Sequence, residues 1–126
     1  MRHVRQFHQT GCGIAVVAML AGCRYRDVTR AFPAATDHGL YVGELVAMLH
    51  TLTGRHWAQA RCDRYPVLAC ARLPRAACAA IIGRPSWHCG HWVALESGIV
   101  HDPNYDRPIA LCEYQRRHWR VLRIVR

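Results

Sequence analysis

One cysteine of the chain lies in a setting that suits a nucleophile. Cys12 stands between Gly11 and Gly13, directly before an apolar run over 14–21 that predicts a buried helix closed by Gly22. The exposed N–H groups and the macrodipole at a helix start favour the thiolate over the thiol. Flanking glycines leave the sulfur accessible and let a substrate approach the backbone closely. The sequence therefore predicts a reactive thiol at Cys12.

A thiolate nucleophile also needs a base, a group that orients the base, and donors for the oxyanion. Gln6 lies in a polar segment before Cys12, and its amide could donate to the oxyanion together with the Cys12 backbone N–H. His91 follows Gly90 and opens a predicted strand, so it is the candidate base. Asp102 ends the next predicted strand and is the candidate orienting group.

The pairing of these two strands can be worked out from their turn. A two-residue turn at 97–98, Ser-Gly, is typical of a tight hairpin and would place Asp102 opposite Val93. Side chains alternate with a period of two, so Asp102 would share a face with His91, one diagonal away. His101 would then lie on the opposite face. A one-residue slip of the register would reverse this prediction.

The remaining pattern changes once along the chain, from helices to strands. Such an order is typical of a single α+β domain over residues 1–126. Thr10 is positioned to cap the first helix, and 67–73 is ambiguous between a short helix and a strand. The expected helices are 14–21, 25–32 and 43–52, with a short helical turn at 111–117, and the expected strands are 56–62, 76–82, 91–96, 99–102 and 120–125.

Composition narrows the classes of function. Hydrophobic residues make up 52% of the 126 residues and charged residues 20%, which predicts a packed core and argues against disorder. No apolar run approaches the ~20 residues of a membrane span, and the first residues lack the apolar stretch of a signal peptide. All 17 basic residues are arginine, and the formal net charge is +9. This excess favours an acidic partner.

Seven cysteines without the spacing of a disulfide framework favour a reducing compartment. Most have apolar neighbours, as Cys70 and Cys78 do, and are predicted to be small buried side chains. No Cys-x-x-Cys pair occurs, so no zinc ribbon is indicated. The cytoplasm is the expected location, with export by a leaderless route left open.

The order and spacing of these residues resemble those of the C39 peptidase family and its C39-like relatives, in the papain-like clan of cysteine peptidases. The motifs that carry the resemblance are Gln6-x5-Cys12-Gly13-x-Ala15, then Gly90-His91-Trp92-Val93, then His101-Asp102-Pro103. The resemblance implies a papain-like α+β fold, in which a central helix headed by the cysteine packs on a C-terminal antiparallel sheet.

The resemblance also assigns roles. Cys12 would be the nucleophile, His91 the general base and acid, Asp102 the orienting residue and Gln6 the oxyanion donor. Gly11, Gly13, Gly90 and Trp92 would line the substrate cleft. No cofactor or metal is implied. The substrate would be a protein or peptide, either acidic or cut after Gly-Gly as is usual for the family. Two features differ from most C39 domains. The transporter and ATPase regions that usually accompany the domain are missing from these 126 residues, and the interval from His91 to Asp102 is short.

Other functions remain open at this stage. The same four catalytic residues suit acyl transfer to an amine, as in transglutaminases, or deamidation of glutamine. A metal site could combine His88, Cys89 and His91 with His101 or Cys12, although the spacing matches no common zinc motif. A nucleic-acid interface or another basic binding module would rest on the +9 charge and four tryptophans, but the arginines are mostly dispersed. The oligomeric state is not indicated.

Overall fold

Helices occupy the first half of the chain and strands the second, so the mixed α+β prediction is confirmed. The computed structural model describes residues 1–60, 64–87 and 90–126. Three short 3-10 turns connect the elements, at Pro33–Thr36, Leu68–Cys70 and Leu111–Glu113. The helices are α1 (Cys12–Ala21), α2 (Tyr25–Ala31) and α3 (Val42–Thr53), and the strands are β1 (Gln59–Ala60), β2 (Cys78–Gly83), β3 (His91–Glu96), β4 (Ile99–His101), β5 (Ile109–Ala110) and β6 (Arg120–Val125).

Within the described residues, the strands form one antiparallel sheet of six, in the order β1-β6-β2-β3-β4-β5. β6 is therefore an interior strand, paired with both β1 and β2. Its register shifts opposite Ile81 and Ile82, and this irregularity lets Val121 and Ile124, three residues apart, pack into the same cluster.

The helices cover one face of the sheet. α1 packs on β3 and α3, and residues 14–18 of α1 are completely buried. A helix buried on every side has no polar face, which is why this run is apolar throughout. Burial of each Ile or Val side chain stabilises the fold by roughly 1.5–3 kcal/mol. The other face packs against connecting segments through Leu68 and Tyr114, both fully buried.

Several local predictions need correction. α1 begins at Cys12 with Gly11 as its N-cap, and no side chain caps it, so Thr10 does not have the expected role. The ambiguous segment 67–73 contains the 3-10 turn at Leu68–Cys70. The predicted strand over 56–62 is reduced to β1, with its last two positions outside the described residues. In the described part of the chain, none of the helices is long and apolar enough to cross a membrane.

Candidate active site

The thiol and the imidazole meet because their two elements pack together. Cys12 is the first residue of α1, and His91 is the first residue of β3. The contact between α1 and β3 brings the Cys12 thiol within hydrogen-bonding reach of the His91 ring. Cys12 also receives hydrogen bonds from the backbone N–H groups of Gly13 and Trp92. A half-buried thiol is thus surrounded by donors.

The predicted hairpin register is confirmed, and it places Asp102 beside His91. Ser97 and Gly98 form the turn with positive φ angles of 50° and 78°, and Ala94 pairs with His101 in the ladder. Asp102 follows directly, and its Oδ1 accepts a hydrogen bond of 2.7 Å from Nε2 of His91. Because Nε2 is occupied in this way, Nδ1 is the nitrogen left to face the thiol.

Asp102 is a buried carboxylate that accepts hydrogen bonds from several groups of the described chain. Its side chain is 1% exposed. Besides His91, Oδ1 accepts from the backbone N–H of Asn104 at 2.9 Å. Oδ2 accepts from the Tyr114 hydroxyl at 2.5 Å and from the Arg116 guanidinium at 3.4 Å. Burial alone would raise the pKa of Asp102. The hydrogen bond and charge of His91, together with the hydrogen bonds from Tyr114 and Asn104, outweigh burial and lower this pKa below its usual value.

The electrostatics favour an ion pair between Cys12 and His91. Burial by itself would raise the pKa of Cys12, yet the hydrogen bond and positive charge of His91 outweigh it and lower that pKa below the usual value. Burial would also lower the pKa of His91, but Asp102 and Cys12 raise it to about 9. The thiol therefore loses its proton more easily than normal while the imidazole keeps one.

Gln6 does not have a free amide donor in this arrangement. Its Nε2 donates to the backbone carbonyls of His8 at 3.0 Å and Gln9 at 3.1 Å. Both amide protons are thereby used to hold the loop before α1, and Oε1 is buried without a hydrogen-bond partner among the described residues. Gln6 could reach an oxyanion only by exchanging one of these two bonds.

The glycines expected to line the cleft have close packing neighbours. A Cβ on Gly11 would lie 2.1 Å from the Tyr25 hydroxyl, and one on Gly13 would lie 2.9 Å from the Leu40 side chain. A Cβ on Gly90 would lie 2.5 Å from Ile81. Each position thus admits a neighbouring element in close contact, which a larger residue would displace.

Trp92 is a core residue and not an open cleft wall. Its side chain is 3% exposed, and Nε1 donates to the Leu40 carbonyl at 2.9 Å. Its backbone N–H donates to Cys12. The indole therefore fixes the segment before α3 against β3, and through it the position of Gly13.

His101 lies on the face away from His91, as the register predicts. Its ring stacks on His3 with centroids 5.7 Å apart, and it is 4% exposed. Among the residues that the structure describes, no three His, Cys, Asp or Glu side chains are placed to hold a metal ion. His88 and Cys89, named in the metal hypothesis, lie outside the described residues.

Two residues of the site were not predicted. Tyr114 and Arg116 hold the second oxygen of Asp102, although the sequence indicated only a short helical turn over this stretch. Their signal in the sequence is weak: a fully buried tyrosine next to a 3-10 turn needs a partner for its hydroxyl.

A comparison of the sequence with models of protein families and with curated proteins gave no match.

Proposed function

We propose that this protein is a C39-like cysteine peptidase that hydrolyses a peptide bond through a thioester at Cys12. The observation that supports it best is the continuous chain of contacts from Cys12 to His91 to Asp102, with the thiol pKa lowered and the imidazole pKa raised. A thiolate beside an imidazolium, with a carboxylate orienting the ring, is the arrangement that nucleophilic catalysis by cysteine requires. The papain-like fold is part of the same proposal.

The reaction follows from the two protonation states. The Cys12 thiolate attacks the carbonyl carbon, and the electron pair of the carbonyl moves to oxygen. The backbone N–H of Cys12 at the helix start is the candidate donor to that oxyanion. As the C–N bond breaks, the His91 imidazolium gives its proton to the leaving amine, which departs and leaves the thioester. Neutral His91 then takes a proton from water, hydroxide attacks the thioester, and the thiolate is restored.

Asp102 keeps the ring in the orientation that this proton transfer needs. Its bond to Nε2 leaves Nδ1 toward the thiol, and its charge stabilises the imidazolium. The buried Tyr114 and the partly exposed Arg116 restrain the carboxylate from its other oxygen. A reducing compartment such as the cytoplasm would keep Cys12 free of oxidation. The substrate to try first is a peptide with Gly-Gly before the scissile bond.

Intact-mass analysis of candidate peptides incubated with wild type and with Cys12→Ala tests the proposal. Two fragments whose masses sum to the peptide plus one water, formed only by wild type, indicate a peptidase. Conversion of a glutamine amide to an acid would indicate a deamidase, and incorporation of an added amine a transglutaminase; either result would replace the proposed reaction. An unchanged peptide panel together with an unreactive Cys12 would refute the nucleophilic site itself.

A further inference from the structure

A groove of about 610 Å³ lies between the first residues of the chain and the start of α2. Its character is set by four arginines and a wall of aromatic and aliphatic side chains. The residues that matter here are Arg2, Arg5, Arg24 and Arg26, with Phe7 and Tyr25. None of the residues that line it carries a carboxylate. The groove therefore combines positive charge with an apolar wall.

Two of the four guanidinium groups are not neutralised. Arg5 pairs with Asp106 at 2.7 Å, and Arg24 lies 3.8 Å from Asp27. Arg2 and Arg26 form no ion pair with any residue in 1–60, 64–87 or 90–126. Both are exposed. Their charges are available to a ligand, and a guanidinium binds a carboxylate through two parallel hydrogen bonds.

One residue that lines the groove, Tyr25, also contacts the residue before the candidate nucleophile. Tyr25 touches Gly11, the residue before Cys12, so closely that no Cβ fits between them. The Tyr25 hydroxyl also contacts Nδ1 of His8 at 2.8 Å and accepts from the backbone N–H groups of Phe7 and His8. Through Tyr25, the groove is therefore connected to the segment that holds Cys12.

We propose that this groove binds an acidic segment of the polypeptide on which Cys12 acts. The part of this proposal that concerns the reaction rests on the proposed function, whereas the part that concerns binding does not. An acidic polypeptide fits better than a nucleic acid, because the apolar wall is formed largely by side chains packed on one another: the Phe7 ring meets the Tyr25 ring edge-on at 5.2 Å. Of the two rings, Phe7 alone is strongly exposed, at 78%, so there is no row of free rings in this groove on which successive bases could stack.

Affinity labelling of Cys12 tests this without requiring peptidase activity. The probes are bromoacetyl-tetraglutamate and bromoacetyl-tetraglutamine, from which the thiolate displaces bromide to form a thioether. We expect wild type to react about tenfold faster with the acidic probe at low salt, and Arg2→Gln/Arg26→Gln to lose most of that preference. The matched control is Arg72→Gln/Arg126→Gln, which removes the same charge from a different cavity and should keep it.

The outcomes separate the two proposals. If both double variants lost the preference for the acidic probe equally, only the overall +9 charge of the protein would be responsible. That result would contradict the proposal that the groove binds the acidic segment. Iodoacetamide reports on the thiol alone. If it labels Cys12 but wild type shows no preference for the acidic probe, the binding proposal is wrong while Cys12 is still a reactive nucleophile. If Cys12 does not react, fluorescence anisotropy of fluorescein-tetraglutamate still decides binding in the groove. Tighter binding of oligothymidylate, lost in Arg2→Gln/Arg26→Gln, would reassign the groove to nucleic acid.

Discussion

Cys12 and His91 shift each other's pKa in opposite directions, and this can be measured on the thiol directly. The alkylation rate of a cysteine follows its thiolate fraction. Since the pKa of Cys12 is lowered, its rate should stay high as the pH falls below the range in which ordinary thiols react. The pKa of His91, raised to about 9, means that the imidazolium persists through neutral pH and is lost as the pH rises through that value.

We expect His91→Ala to slow alkylation of Cys12 at neutral pH by at least about tenfold, because burial then raises the thiol pKa against only the backbone hydrogen bonds of Gly13 and Trp92. The measurement is the rate of carbamidomethylation by iodoacetamide across pH, read by mass spectrometry of the Cys12 peptide. Cys70 and Cys112 are exposed, against the expectation that most other cysteines are buried, and they provide an internal reference. His101→Ala is the control; a larger effect from it than from His91→Ala would contradict the assignment.

Tyr114 should stabilise the charged form of Asp102. Tyr114→Phe removes a hydrogen bond to a buried carboxylate and is expected to lower the free energy of unfolding by about 1.5–3 kcal/mol at neutral pH. The folded pKa of Asp102 is depressed, so this contribution is present above the unfolded value of about 3.9 and is lost as the pH falls through the folded value. Urea unfolding of wild type and Tyr114→Phe at neutral and acid pH measures this loss of stability and its dependence on pH.

Tyr105→Phe is the matched control for this substitution. The Tyr105 hydroxyl donates to Gln115 at 3.2 Å at an exposed position, so its loss should cost little at either pH. An equal loss for Tyr114→Phe at neutral and acid pH would show that the hydroxyl does not act through the charge of Asp102.

At the scale of elements, the loop before α1 depends on one close contact. Gly11→Ala would place a Cβ 2.1 Å from the Tyr25 hydroxyl and 3.0 Å from the His8 carbonyl. We expect it to destabilise the protein by about 1–3 kcal/mol, as overpacking does, and to slow alkylation of Cys12 because α1 begins at this point. Thermal unfolding and the labelling rate are the two readouts.

The double variant Gly11→Ala/Tyr25→Phe removes the oxygen that the new methyl group meets. It should therefore be more stable than the sum of the two single changes predicts, a coupling that a double-mutant cycle isolates. Strict additivity would mean that Gly11 and Tyr25 do not constrain each other.

The elements that sequence predicts best are those fixed by local chemistry. The turn at Ser97 and Gly98 sets the hairpin register, and counting residues back from that turn is enough to place Asp102 on the His91 side. The apolar run of α1 and its closing Gly22 are equally local. In contrast, Tyr114 and Arg116 join the site from a separate segment, and no periodicity or spacing connects them with Asp102.

The same reasoning explains the errors near Cys12. Thr10 has the chemistry of a cap, but Gly11 occupies that position. Gly11 and Gly13 are expected to line the substrate cleft, and a sequence does not show that Tyr25 and Leu40 pack closely beside them. A glycine indicates a close approach without saying what approaches.

At the scale of the whole molecule, the N-terminal segment is held to the sheet by two stacked imidazoles. His3 contacts the Tyr105 carbonyl through Nε2, 2.6 Å away, and stacks on His101. The backbone N–H of Gln6 also donates to the Pro103 carbonyl at 3.1 Å. Burial and the nearby His3 lower the pKa of His101, so the folded protein favours its neutral ring.

We expect stability to fall on acidification partly because of His101. Below the unfolded pKa of about 6.5 the unfolded chain binds a proton that the folded chain resists, so folding becomes less favourable. Melting temperatures between neutral and mildly acid pH should decline less steeply in His101→Phe than in wild type. The melting temperature of His118→Phe, which is changed at an exposed position, should fall with pH as that of wild type does. If the melting temperatures of all three proteins fell equally with pH, the role of His101 would be contradicted.

The interior position of β6 has a consequence for the time at which the protein becomes reactive during its synthesis. β6 enters the sheet between β1 and β2, so a nascent chain still held in the ribosome at residue 120 cannot close the sheet. The pKa of Cys12 is lowered by His91, a partner made long after it and placed by a strand of that sheet. We therefore expect Cys12 to behave as an ordinary thiol while the sheet is incomplete, so that its reactivity develops late in synthesis.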